Sequence, residues 1–140
     1  MQTWLIFAIL SMIFAGLTSV LAKTGLKDIS ADLALVVRTS IVFGMVIINF
    51  LLWQDVKSFH QLTSKAVLFL VLSGLTTSVS WIFYYKAIKM GEVSVVASID
   101  KGSLIITLLL SFLFLKEPVT PKILLGAGLI FSGMLVMIWK

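Results

Sequence analysis

Five long apolar blocks separated by short polar breaks make up most of the 140-residue chain. The hydrocarbon core of a bilayer is about 30 Å thick, and a helix needs roughly 20 apolar residues to cross it. Each block has about that length, so the pattern predicts five transmembrane helices and little else. The predicted helices cover residues 4–22, 33–53, 66–85, 93–115 and 123–139.

The polar breaks carry residues that are typical of helix ends. Ser30 can cap the second helix, and Thr63 or Ser64 can cap the third. Gly91 stands one residue before the acidic start of the fourth helix, and the two prolines of 116–122 require a tight reversal. We therefore expect an all-α, polytopic membrane protein in which residues 1–140 form a single domain, with no linker.

Composition supports this class and excludes others. The chain is 60% hydrophobic and 12% charged, whereas about 25% of the residues of a soluble domain are charged. It contains no cysteine and a single histidine, His60, so we expect no metal site, no cofactor and no enzyme. The net charge of +5 comes mainly from lysines near helix ends, which suits lipid headgroups better than nucleic acid.

The distribution of positive charge gives an unusually weak signal for orientation. One side of the membrane would carry four lysines in the second and fourth breaks, and the other side would carry five in the first and third breaks and at the C-terminus. Arg38 adds one charge near the latter, which we call the second side. The positive-inside rule normally acts through a clear asymmetry. Two interpretations remain: insertion in both orientations, or a small bias that places the second side in the cytoplasm.

Three charged residues fall inside the apolar blocks. Arg38 lies in the second helix, while Asp100 and Lys101 lie about two turns into the fourth, roughly 10 Å deep at 1.5 Å per residue. Both helices start from the second side, so the three charges have similar depths and could form a cluster. Ionisable residues in a membrane are functional candidates by default. The alternatives are a structural ion pair for Asp100 and snorkelling for Arg38 and Lys101.

Small and polar residues recur at helical spacing on four of the helices. Such faces would line a cavity, or would let helices pack closely while the hydroxyls bond their own backbone. With the three charges, the residues that we predict to bind a substrate or to gate its path are Ser11, Thr18, Ser80, Trp81, Tyr84, Ser103 and Thr107. The last helix has a Gly128–Ser132 pair, a weak signal for a helix–helix contact.

Several segments resemble the EamA-like domain of the drug/metabolite transporter superfamily. They are the run Tyr-Lys-Ala-Ile at 85–88 with Gly91, the run Leu-Phe-Leu-Lys-Glu at 113–117, and the glycines Gly126 and Gly133 of the last helix. The run Ser-Ile-Asp-Lys-Gly-Ser at 98–103 is similar to that of short, single-domain members.

The resemblance implies half of a ten-helix, inverted-repeat transporter. The chain would then be a small secondary transporter, an exporter or permease of a metabolite or drug in the inner (plasma) membrane. It would act by alternating access as a homodimer, antiparallel or otherwise, or as a heterodimer with another half-transporter. A related group, the small multidrug resistance proteins, uses a glutamate in the first helix, and residues 4–22 contain no acid. The other hypothesis is an accessory subunit or scaffold that transports nothing.

Overall fold

The structure is a computed structural model that describes residues 3–139, and within this range every regular element is helical. Five helical spans of 18 to 27 residues are long and apolar enough to cross a membrane. This confirms the predicted class. The elements are α1 (Thr3–Gly25), α2 (Ala31–Trp53), a 3-10 helix (Val56–Gln61), α3 (Ser64–Met90), α4 (Val93–Asp100), α5 (Ser103–Leu110), a π-helical turn (Ser111–Leu115) and α6 (Pro121–Ile138).

Helix starts follow the capping residues of the sequence. The hydroxyl of Ser30 accepts a hydrogen bond from the amide of Leu33 at the start of α2. Thr63, rather than Ser64, caps α3 by accepting from Ala66. These hydroxyls satisfy backbone donors that a helix leaves without partners at its N-terminus.

The third helix is longer than its apolar block. We predicted an end at residue 85, but α3 continues to Met90. The extra turn places Ile88 in a buried position. Lys86 pairs with Asp32, and Lys89 donates hydrogen bonds to backbone carbonyls after α1. The polar residues therefore mark the end of the apolar block but not the end of the helix, because lysine and alanine are good helix formers.

The fourth span, residues 93–115, is one predicted helix that the structure divides into α4, α5 and the π-helical turn. At the junction of α4 and α5, the amides of Lys101 and Gly102 bond the carbonyls of Ser98 and Ile99, three residues back. Bonds of this spacing are those of a 3-10 turn, which is wound more tightly than an α-helix. The predicted bounds of 93–115 match this span, and the tightened turn at its charged position is a feature that the apolar pattern did not predict.

The described chain separates after Lys89 into two compact units. The first unit contains α1, α2 and α3, and the second contains α4, α5 and α6. Within the first unit, Leu26, Tyr85 and Ile88 are buried. They lie near the C-terminal ends of α1 and α3, so close packing of this unit is concentrated at that end.

Candidate functional site

The charge inside the first unit is held against aromatic rings. The guanidinium carbon of Arg38 lies 4.2 Å from the centre of the Trp81 ring and 5.8 Å from that of Tyr85. Trp81 and Tyr85 are four residues apart on α3 and so share a face. A cation over an aromatic ring gains about 0.5–2 kcal/mol, with the higher values in desolvated places. This stacking fixes the side chain of Arg38 without neutralising its charge.

Part of the Arg38 guanidinium lacks a hydrogen-bond acceptor. Its Nη1 atom is buried and has no partner. In residues 3–139 the ion pairs are Lys86–Asp32 at 4.0 Å and Lys101–Asp100 at 3.9 Å, and neither includes Arg38. A buried polar atom left unsatisfied costs about 1–3 kcal/mol, and more when it is charged. Arg38 is therefore a positively charged donor group whose compensation is incomplete.

Arg38 also lines an open cleft of about 350 Å³, which we call the Arg38 cleft. Its wall comes from α1, α2, α3 and the loop after α1, and all of these elements belong to the first unit. The lining is mostly aliphatic, and its polar side chains are Thr18, Arg38 and Tyr85. A second cleft of about 450 Å³, lined by α2 and α3, includes Trp81. Arg38 therefore lines the first cleft, and Trp81, which stacks on it, lines the second.

Two lysines join the C-terminal ends of α1 and α3 by hydrogen bonds, and we call this pair the lysine clamp. Lys23 of α1 donates from Nζ to the carbonyl oxygen of Ile88 at 2.6 Å and to that of Lys89 at 3.4 Å, at the end of α3. In return, Lys89 donates to the carbonyl oxygens of Leu26 and Lys27, just after α1. Each ammonium thus donates hydrogen bonds to carbonyl oxygens at or just after the C-terminal end of the other helix, where the helix dipole also favours a cation.

A hydroxyl pair joins the same two helices further along. Tyr84 of α3 donates to the hydroxyl oxygen of Ser19 of α1 at 2.7 Å, and Ser19 donates to the carbonyl of Ala15 at 3.2 Å. Tyr84, one of the predicted site residues, is therefore half-buried in a contact between α1 and α3.

The second unit carries the other two intramembrane charges. The carboxylate of Asp100 and the ammonium of Lys101 are paired at 3.9 Å, and their side chains are 43% and 64% exposed. Neighbouring residues on a regular α-helix face different ways, but this pair meets at the 3-10 turn. Arg38 belongs to the other unit, so the predicted cluster of three charges stays a prediction.

A close approach of α6 shapes this turn. A Cβ atom on Gly102 would lie 2.9 Å from the carbonyl oxygen of Ile99 and 3.1 Å from the sulfur of Met134. The hydroxyl of Ser98 lies 3.0 Å from the sulfur of Met137, also on α6. Only glycine fits at position 102 without a shift of its neighbours.

The remaining predicted hydroxyls take two kinds of position. Thr18 lines the Arg38 cleft, but its hydroxyl donates to the carbonyl of Phe14 at 2.8 Å, and Thr107 donates to the carbonyl of Ser103 at 3.0 Å. Hydroxyls that bond the backbone of their own helix fit the alternative in which these faces serve helix packing and do not line a cavity. The side chains of Ser11, Ser80 and Ser103 lie at exposed positions. Their role in substrate binding stays a prediction.

Three residues at this site are not among those predicted from the sequence. Tyr85 stands at the end of an apolar block, where aromatic residues often lie at the membrane surface, yet it is 4% exposed and lies beside Arg38. Its spacing from Trp81 was a usable signal. Lys23 and Lys89 were assigned to lipid headgroups, and nothing in the local sequence indicates that they bond to each other's helix.

Comparisons with known proteins find similarity to membrane transporters. The EamA-like transporter family matches residues 2–139. A protein of Sinorhizobium sp named "Uncharacterized transporter in cobO 3'region" is 34% identical over 136 residues, which cover 97% of this chain and 96% of that protein. No solved structure matches the chain. Because the family match runs through all five membrane-spanning helices, the chain belongs to the EamA-like transporter family.

Proposed function

We propose that the protein is a small secondary transporter of the inner (plasma) membrane, which exports or admits a small metabolite or drug. Membership of a transporter family supports the general activity. The finer proposal is that two copies, or this chain and another half-transporter, enclose one substrate path and work by alternating access. Transporter folds with inverted repeats place their substrate sites at the interface between the repeats.

The observation that carries this proposal is the exposed ion pair of the fourth span. Asp100 and Lys101 lie about two turns from the start of a span that is long and apolar enough to cross a membrane, and their side chains are 43% and 64% exposed in the single chain. Charges at the bilayer centre are expensive, and membrane proteins turn them toward a bundle interior or a water-filled path. A partner or a substrate path that covers the pair would remove this cost.

The turn beneath the ion pair supports the same proposal. In secondary transporters the substrate and coupling-ion sites typically use helices that are interrupted within the membrane. Here the interruption falls at Lys101 and Gly102, directly beside the deep carboxylate of Asp100. If protons are coupled to transport, Asp100 is the carboxylate that would carry them.

The first test compares Asp100→Asn with Glu117→Gln, which removes a carboxylate from the loop before α6 and serves as the matched control. Each variant is expressed in a bacterial host, and solutes in the medium and in the cells are compared by mass spectrometry with an empty-vector strain. We expect the wild type to change the distribution of at least one small solute. Asp100→Asn should return that solute to the empty-vector level, and Glu117→Gln should not.

Immunoblots of the membrane fraction provide the control for insertion, because flux is meaningful only at equal protein levels. Unchanged flux in the inserted Asp100→Asn variant would contradict the role of Asp100. If the wild type moves no solute and is recovered in a complex with a larger membrane protein, the accessory-subunit hypothesis replaces the transporter.

A further inference from the structure

The Arg38 cleft has the features of a binding site for an anion. Arg38 is the only arginine of the sequence. Its guanidinium is half-buried, its Nη1 atom lacks an acceptor, and it takes no part in the ion pairs of the described residues. An anion in the cleft would supply the negative charge that these ion pairs do not place beside Arg38.

The way in which Arg38 is held selects the shape of that anion. With Trp81 over the guanidinium, aromatic rings occupy a face of the group. The N–H donors of a guanidinium project from its edge, where they match the two oxygens of a carboxylate. A planar anion that approaches along this edge keeps the stacking with Trp81.

The wall of the cleft selects the rest of the ligand. Most of the lining is aliphatic, including Leu21, Val37 and Ile41. The hydroxyl of Thr18 already donates to the carbonyl of Phe14. A strongly polar body would lose its hydration there without gaining partners, whereas a hydrocarbon body would gain contacts.

We propose that the Arg38 cleft binds a small amphipathic carboxylate, with its head at the Arg38 guanidinium and its hydrocarbon body on the aliphatic wall. This inference rests on the proposed function and names the substrate class for it. The same chemistry could come from two sources, a soluble carboxylate or the anionic headgroup of a lipid. The proposal is the soluble carboxylate, and the experiment separates the two.

The test uses Trp81, which stacks on the Arg38 guanidinium, as the reporter of binding in the Arg38 cleft. In a variant with Trp4, Trp53 and Trp139 changed to Phe, Trp81 is the remaining tryptophan. The full-length protein is placed in nanodiscs of zwitterionic phosphatidylcholine and titrated with hexanoate, and with hexanamide as the neutral control. We expect a saturable change in Trp81 fluorescence with hexanoate and none with hexanamide. Arg38→Lys should weaken binding at least tenfold, because lysine lacks the planar fork.

Each outcome decides the proposal. Equal responses to hexanoate and hexanamide, or unchanged binding in Arg38→Lys, would overturn it. If nanodiscs with phosphatidylglycerol alter Trp81 fluorescence without hexanoate and prevent its binding, the occupant is a lipid headgroup, and the proposal is also overturned. Ile41→Phe, which narrows the cleft without touching the charge, should weaken hexanoate binding too if the cleft is the site. Because binding is measured without flux, failure here leaves the transport proposal to its own test.

Discussion

Lys23 and Lys89 show how a charge near a membrane surface can be specific at the scale of single residues. Each ammonium bonds carbonyl oxygens at the C-terminal end of the other's helix. Snorkelling to headgroups would leave both side chains free to move. The observed bonds instead join α1 and α3 beside the buried side chains of Leu26 and Ile88.

We predict that Lys89→Met lowers the thermal stability of the purified protein in detergent. Hydrogen bonds that involve a charged group contribute about 1.5–3 kcal/mol, and the loss of the Lys89 bonds also leaves the carbonyls after α1 without that donor. Circular dichroism against temperature measures the effect. The matched control is Lys65→Met, at an exposed position in the first turn of α3, which should unfold at nearly the wild-type temperature.

The double variant makes this prediction sharper. Lys23 and Lys89 hold the same two helix ends, so the loss of one should loosen the geometry that the other needs. The effect of Lys23→Met should therefore be smaller in the Lys89→Met background than in the wild type. Fully additive effects would mean that the two lysines act independently, and the clamp would not exist as a unit.

The residue scale also shows how far a sequence can specify a site. Arg38 and Trp81 could be selected as candidates, because a charge and a deep tryptophan are conspicuous in apolar segments. Their mutual contact could not be predicted, since it depends on how α2 and α3 are rotated against each other. Tyr85 was missed for the same reason: its burial is a property of the packed unit, not of its position in the helix.

At the scale of elements, hydropathy identified every membrane span but not the internal structure of one. The fourth span contains a 3-10 turn at Lys101 and Gly102 and a π-helical turn at its end, where Lys116 adopts a left-handed conformation with φ of 55°. Apolar patterning reports which residues avoid water and is insensitive to such local changes of winding. The tightened turn coincides with the approach of Met134 from α6, a contact distant in sequence.

We predict that Gly102→Ala destabilises the protein and disturbs the ion pair beside it. The added methyl group would lie 2.9 Å from a backbone oxygen and 3.1 Å from the Met134 sulfur. The sulfur can move but the carbonyl of Ile99 cannot without a change in the turn. Overpacking of this kind costs about 1–3 kcal/mol, and thermal unfolding in detergent measures it.

Gly74→Ala provides the matched control within α3. A Cβ atom at position 74 would meet nothing within 4 Å, and replacing glycine by alanine inside a helix favours the helix by about 1 kcal/mol. This control should therefore be neutral or stabilising. Equal stability of the two variants would show that the turn at Gly102 does not depend on the absence of a side chain.

For the whole molecule, the exposed charges of the second unit and the even distribution of lysines raise the same question. Under the proposed function, a partner or a water-filled path covers the exposed side chains of Asp100 and Lys101 within the membrane. A second copy inserted upside down would supply the inverted half that a ten-helix arrangement requires. Four lysines against five, or against six positive charges when Arg38 is included, gives the chain only a small bias toward one orientation. The two observations therefore favour an antiparallel pair of identical chains.

We predict that the chain inserts in both orientations, and the absence of cysteine makes this testable. A single cysteine replaces Gln61, which is exposed at the end of the 3-10 helix between α2 and α3. Intact cells are treated with a membrane-impermeant maleimide before and after permeabilisation. We expect part of the protein to react in intact cells and the rest only after permeabilisation. A cysteine in place of Val119, in the loop before α6 on the same predicted side, should divide in the same ratio.

The balance of positive charge between the two sides can then be changed, and its effect on orientation and on flux measured. Replacing Asp55 and Gln54 by Lys adds two positive charges to the second break and should drive the labelled population toward a single orientation. If the antiparallel pair is the functional unit, flux should fall as the orientation becomes uniform, although the residues of both units that bear the intramembrane charges are unchanged. Flux that persists in a uniformly oriented population would show that a parallel pair, or a different partner chain, completes the transporter. Labelling of the wild type from one side only would also exclude the antiparallel pair of identical chains, because no copy would then be inserted in the opposite orientation.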